Sequence, residues 1–235
     1  MRHYLVPMVI AVACILLGSC GIQTGVRLTH RKEYLLALEA PVVRVRCRSE
    51  KVIDGERQIL RGWASGLPCE DYIISCDHGY GIDQWYVNET SVDVLEKSKW
   101  QHELDDFVKL EKPASVLESG NCHAFRPAVW TRVWIVGYPA NDSRDFSCDK
   151  RKRVAVPGIV VTGESKEDNI LTVLIDISEQ IGKGMSGGPV RTLVDGKMVD
   201  IGTLVTIGEA EATFEVLGPF NWPMKTKFVE VRLCD

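Results

Sequence analysis

Nothing in this sequence is apolar for long enough to span a bilayer as a helix. The longest such run, Leu5 to Leu17, is shorter than the roughly 20 residues that a hydrocarbon core demands. None of the eight cysteines forms a C-x-x-C pair, so a thiolate zinc site lacks its usual spacing, and no metal or cofactor is expected. Basic charge is not in excess either. Lys and Arg total 28 against 32 Asp and Glu, a net charge of −4, which argues against nucleic acid as a partner. Repeats and low-complexity segments are missing, which excludes a solenoid. At 235 residues and 45% hydrophobic content, one domain or a fused pair of small barrels fits the length. Histidine is scarce: there are five, and His123 is the last.

That scarcity decides how to read the most informative feature of the chain, Gly184-Met185-Ser186-Gly187-Gly188-Pro189. Glycines on both sides leave the backbone around the serine hydroxyl bare. The N–H groups of Gly184 and Ser186 can then turn toward one point, as an oxyanion hole needs. On a nucleophile elbow the chain order is Ser, acid, His, and a helix starts directly after the serine. Here no histidine follows Ser186, and Gly187-Gly188-Pro189 opposes a helix at that place. The order His, Asp, Ser remains. A subtilisin order with Asp54 or Asp71 as the acid would need long helices, which the sequence lacks.

Upstream, Asp71-Tyr72-Ile73-Ile74-Ser75-Cys76-Asp77-His78-Gly79 is an apolar run ending in a histidine and a glycine. It resembles the strand-then-histidine segment of chymotrypsin-like peptidases, departing from it in Cys76-Asp77, where the family carries two small residues. Asp106-Phe107-Val108-Lys109-Leu110 is similar to the family's D-I-A-L-L strand and puts Asp106 at the acid position. Asp105 stays open, because a one-residue slip exchanges which of the two points inward. His78 and Asp106 lie 28 residues apart, and Asp106 and Ser186 lie 80 apart, similar to the family's gaps. Val136-Gly137-Tyr138-Pro139 and Val156-Pro157-Gly158-Ile159-Val160 look like the I-G-x-P turn and G-x-V strand of HtrA-type peptidases. Asp176 followed by Ser186, and Ile201 through Gly208, extend the likeness, which covers roughly residues 40–215.

The resemblance implies an all-β fold of two six-stranded antiparallel β-barrels with the active site between them. The first barrel would take residues 41–120 and supply His78 and Asp106; the second, 121–235, would supply Ser186. It implies a serine endopeptidase acting on protein or peptide substrates. His78 would take the proton of Ser186, Asp106 would fix the imidazole tautomer, and the Gly184 and Ser186 N–H groups would receive the oxyanion. Met185 would only pack. Gln180, six before the nucleophile, would lie at the base of the specificity pocket, with Thr206 and Ile207 in its wall and Gly208 at its entrance. A neutral amide there predicts small or medium apolar side chains before the scissile bond; Glu179 in that place would favour a basic one. A catalytically silent, peptidase-like binding lipoprotein is the alternative. No R-I-V-G-G start is seen, so trypsin-type zymogen activation is not expected; no PDZ-sized segment is read after the second barrel, in contrast to many HtrA-type proteins.

Arg2 and His3 give a positive start to the apolar core Leu5–Leu17, and Leu17-Gly18-Ser19-Cys20 resembles the lipobox of bacterial lipoproteins. The resemblance implies removal of residues 1–19, lipidation (palmitate) at Cys20, a tether over 20–40 and membrane anchoring at the cell envelope. Gly21 in place of aspartate favours the outer membrane of a Gram-negative host. Cleavage near Ser19 without lipidation, giving a secreted or periplasmic chain, is the alternative. Six cysteines remain (Cys47, Cys69, Cys76, Cys122, Cys148 and Cys234), which permit up to three disulfides in fifteen connectivities. Cys69 and Cys76 flank one strand, about 23 Å apart if fully extended, so they are not expected to bridge. Cys122 with Cys148 fits the connection between the barrels. The basic run Lys150-Arg151-Lys152-Arg153 is expected to be an exposed loop, and His102 and His123 surface residues. Strand-like runs begin at Val42–Arg46 and recur to Thr213–Val216 at the 8–12 residue spacing of a barrel. Residues Arg31 to Ala40 read as a helical patch, and the segment from Trp222 as a helix or a final strand.

Overall fold

The structure, a computed structural model, describes residues 31–77, 82, 84–97, 107–140, 150–162, 169–176, 181–215 and 223–234. The chain divides into two units, 1–36 and 37–235. Of the first, residues 31–36 are helical, in a helix that ends at 38. No described helix is long and apolar enough to cross a membrane. The second unit holds two antiparallel sheets.

The first sheet comprises β1 (Val43–Ile53), β2 (Glu56–Pro68), β3 (Tyr72–Ser75), β4 (Gln84–Val87), β5 (Thr90–Val92), β6 (Val94–Lys97) and β7 (Val108–Glu111), in the order β5-β4-β1-β2-β3-β7-β6. It has seven strands rather than six because the run from Thr90 to Lys97 breaks at Asp93. On one side of that residue β5 pairs with β4; on the other, β6 pairs with β7. The two edges of the sheet are therefore joined through a single residue, and the barrel is nearly closed. Val43, Val45, Ile73, Trp85, Val87, Val108 and Leu110 fill its core. Asp54-Gly55 turns β1 into β2 with both φ angles positive, the two-residue geometry that suits a right-twisted hairpin.

The second sheet comprises β8 (Arg132–Gly137), β9 (Val154–Thr162), β10 (Ile170–Asp176), β11 (Pro189–Val194), β12 (Lys197–Glu215) and β13 (Pro223–Leu233) and closes as β10-β13-β12-β11-β8-β9. Its period-2 logic is plain in β8. Val133 and Ile135 point into the barrel core, while Trp134 and Val136 pack outward with Ala37, Ala40, Val42 and Ala155. Both faces are buried, so the strand reads as a continuous apolar run. The segment after Trp222 is a strand, and β12 runs unbroken from Lys197 to Glu215, with register shifts at Leu204/Thr206 and Gly208/Ala212.

The disulfide joins Cys122 to Cys234, not to Cys148, which lies outside the described residues. The backbone explains the choice. Cys122 makes a parallel bridge with Asp200, and Cys234 N–H donates to Ile201 C=O (2.9 Å), so both cysteines sit beside the same stretch of β12. Their Cα atoms are 5.9 Å apart, within the range a disulfide spans. Asp200 is buried and ion-paired with Arg191 at 2.8 Å. Burial pushes its carboxyl above the ordinary range, and the Arg191 charge opposes that rise. Cys47, Cys69 and Cys76 are free thiols.

Candidate active site

Ser186 lies in the loop between β10 and β11 and is buried. Gly187 N–H donates to Leu204 C=O (2.6 Å) and Leu204 N–H to Gly188 C=O (2.9 Å), which fastens the loop to β12. Met185 N–H donates back to Gly182 C=O (3.2 Å), and its side chain is fully buried in the second barrel's core, the packing role anticipated for it. Among the described residues, the N–H groups of Gly184 and Ser186 take no partner in this backbone network. Lys183 C=O accepts from Ala140 N–H (2.6 Å). In a trans peptide the following N–H points the opposite way, so Gly184 N–H faces away from Ala140. Gly184 has φ +90°, and a Cβ there would sit 2.8 Å from Tyr138 C=O and 2.9 Å from Ala140 N. Only glycine fits both the angle and the space.

A second set of contacts reaches the loop from the first sheet, and no local sequence signal marked it. Ser65, on β2 and fully buried, donates its N–H to Ser186 C=O (2.8 Å) and its Oγ–H to Gly184 C=O (2.8 Å). Tyr138 N–H donates to Ser65 Oγ (2.9 Å), and Ser75 Oγ–H, from the end of β3, donates to Ser65 C=O (2.7 Å). The loop touches β3 directly as well: a Cβ on Gly187 (φ +79°) would lie 2.7 Å from Ser75 Oγ and 2.8 Å from Cys76 N.

The basic run is not the uniformly exposed loop expected of it. Lys150, Lys152 and Arg153 are exposed, but Arg151 is buried. Its guanidinium donates to Ala64 C=O (3.1 Å), Tyr138 C=O (3.0 Å), Gly184 C=O (3.4 Å) and Val45 C=O (3.3 Å), and it stacks 4.7 Å from the Trp63 ring. Carbonyls from both sheets solvate this cation in place of water, which offsets the cost of burying it.

Ser186 and Gly184 are thus brought into one loop. Thr206, Ile207 and Gly208 lie on β12, in register with Glu230, Val229 and Phe228 of β13, just beyond the residue that fastens the loop. His78, Asp105, Asp106, Glu179, Gln180, Cys20 and His102 lie outside the described residues. The approaches to two of them are described. Ser75 pairs with Val108, so the strand that precedes His78 in the chain lies beside the strand that follows Asp106. Asp77, the residue before His78 in the chain, is buried and forms an ion pair with Lys97 at 3.6 Å. His123 is exposed. Within the first sheet, Cys47 and Cys76 help line a cavity of about 340 Å³ with Trp63 and Trp85. Burial there, with Cys76 and Asp77 adding to it, pushes the Cys47 thiol up to about 12. No group of three or more His, Cys, Asp or Glu is gathered as a metal site among the described residues.

No protein-family model and no curated protein matches the chain. Solved structures do. The chain is similar to the Rv3671c protease of M. tuberculosis in its active form, at 18% identity and a TM-score of 0.50, over 84% of this chain and 78% of that one. It is similar to a serine endoprotease of Yersinia pestis at 20% identity and a TM-score of 0.52, over 83% and 61% of the two chains. An HtrA-type protease solved with a decapeptide matches at 13% identity and a TM-score of 0.52, over 80% and 59%. The chain spans about three fifths of the length of the latter two. These likenesses show the chymotrypsin-like protease fold.

Proposed function

We propose that the chain is a serine endopeptidase that cleaves protein or peptide substrates through His78, Asp106 and Ser186. One observation carries the reading. The strand ends leading to His78 and from Asp106 are paired side by side at Ser75 and Val108, and Ser75 and Cys76 abut Gly187, the residue after Ser186. Base, acid and nucleophile would thereby converge from two barrels on one spot. Ser186 Oγ would attack the scissile carbonyl while His78 takes its proton. The Gly184 and Ser186 N–H groups would hold the oxyanion, a contribution of about 2.7–4 kcal/mol per donor. His78 would then return the proton to the departing amine, and water would release the acyl group by the same route.

Gln180 at the pocket base, with Thr206 and Ile207 in the wall and Gly208 at the entrance, would take small or medium apolar side chains. The lipobox-like Leu17-Gly18-Ser19-Cys20 supports a mature chain that begins at a lipidated Cys20 and works at the bacterial envelope.

Intact-mass analysis after treatment with a fluorophosphonate tests the reading. Ser186 Oγ should bond to phosphorus with loss of fluoride, its proton passing to His78. Wild type should gain one adduct, on a chain starting at lipidated Cys20, while Ser186→Ala and His78→Ala gain none. Asp106→Asn should slow labelling by about 10⁴, far more than Asp105→Asn. Equal labelling of wild type and Ser186→Ala would overturn the assignment.

A further inference from the structure

We infer that Arg151 is a positioning residue for Ser186, acting through the carbonyl of Gly184 and in concert with Ser65. The inference rests on the peptidase reading and adds a component that the triad does not contain.

Gly184 C=O accepts from two buried donors, Ser65 Oγ–H at 2.8 Å and an Arg151 guanidinium N–H at 3.4 Å. Lys183 C=O is held separately by Ala140 N–H. The two peptide planes flanking Gly184 are therefore each fixed by their oxygen, and with them the direction in which Gly184 N–H points. A glycine at φ +90° has no side chain to hold its conformation, so these oxygen contacts are what select it.

The same guanidinium also joins the two halves of the site. Val45 C=O and Ala64 C=O belong to β1 and β2; Tyr138 C=O and Gly184 C=O belong to the second barrel and its serine loop. Its plane is held by Trp63 on β2, and its own carbonyl oxygen accepts from Arg44 on β1 at 2.9 Å. If His78 and Asp106 come from the first barrel and Ser186 from the second, the reacting atoms align only when the barrels keep their spacing. Arg151 spans that spacing at the serine loop. A lysine has one donor centre where the planar fork has several, so it cannot reach acceptors on both sheets at once.

The test is the rate of fluorophosphonate labelling, separated into the limiting rate and the half-saturating probe concentration, for wild type, Arg151→Lys and Ser65→Ala. Unfolding curves are measured on the same samples. Misplacing a catalytic group by about 1 Å costs about a hundredfold, so each variant should lose between about tenfold and a hundredfold in limiting rate. Half-saturation should stay unchanged. The double variant should lose less than the product of the two single losses, because both donors serve one carbonyl. Folded Arg151→Lys labelled at the wild-type limiting rate would overturn the inference. Should Arg151→Lys not fold, Ser65→Ala decides in the same way. Absence of labelling in wild type would instead refute the peptidase reading.

Discussion

Replacing Gly187 by alanine would drive a methyl group into the first sheet from the serine loop. The residue has φ +79°, and the added carbon would lie 2.8 Å from Cys76 N and 2.7 Å from Ser75 Oγ, with Ser65 C=O closer still. The backbone of β2 at Ser65 and of Cys76, just after β3, cannot rotate aside as a flexible side chain would. Two costs add. Holding an alanine in the left-handed region costs about 1–2 kcal/mol, and forcing a methyl group into packed surroundings about 1–3 kcal/mol, for about 2–5 kcal/mol together. Gly196 provides the control. It has the same φ, +79°, in the β11–β12 turn, but a Cβ there meets nothing within 4 Å, so Gly196→Ala should incur only the conformational part. With a urea slope of about 2 kcal/mol/M, Gly187→Ala should lower the midpoint by about 1–2.5 M and Gly196→Ala by about 0.5–1 M. Equal shifts for the two variants would refute the claim that the serine loop is wedged against β2 and β3.

Two further predictions concern reactivity and selectivity. Because desolvation pushes the half-buried Cys47 thiol up to about 12, its thiolate should be negligible at pH 8, and iodoacetamide should leave it unmodified in the folded protein yet modify it after unfolding; rapid native alkylation at Cys47 would contradict that rise. Peptide-library cleavage should prefer small or medium apolar residues before the scissile bond, whereas a strong preference for Arg or Lys would exchange Gln180 for Glu179 at the pocket base.

The features legible in the sequence are those written locally. Gly184 through Pro189 declares a loop that only glycine can build, and Val133–Val136 declares a strand buried on both faces. Arg151 is the opposite case. Its neighbours Lys150, Lys152 and Arg153 are exposed, and the run reads as solvated; what buries Arg151 is four carbonyls from segments up to 106 residues away in sequence, with nothing local to announce them. Ser65 is equally silent, one small polar residue in a strand until three segments meet on it. Cys122 has Cys234 as its partner because both flank Asp200 and Ile201, a neighbourhood set by strand pairing and not by spacing. The split at Asp93 follows from which neighbours β5 and β6 find, again a long-range choice.

The order in which the second barrel is threaded has a bearing on its synthesis. The strand between β10 and β12 is β13, which follows both in the chain. Until it leaves the ribosome, β10 and β12 each present a bare edge of amide and carbonyl groups, the kind of surface that recruits other chains. Cys122 likewise waits for Cys234, separated from it by 112 residues. The barrel is therefore completed all at once and late. A product truncated before Pro223 would keep Ser186 and its loop yet carry two sticky edges and an unpaired thiol, a substrate for quality control.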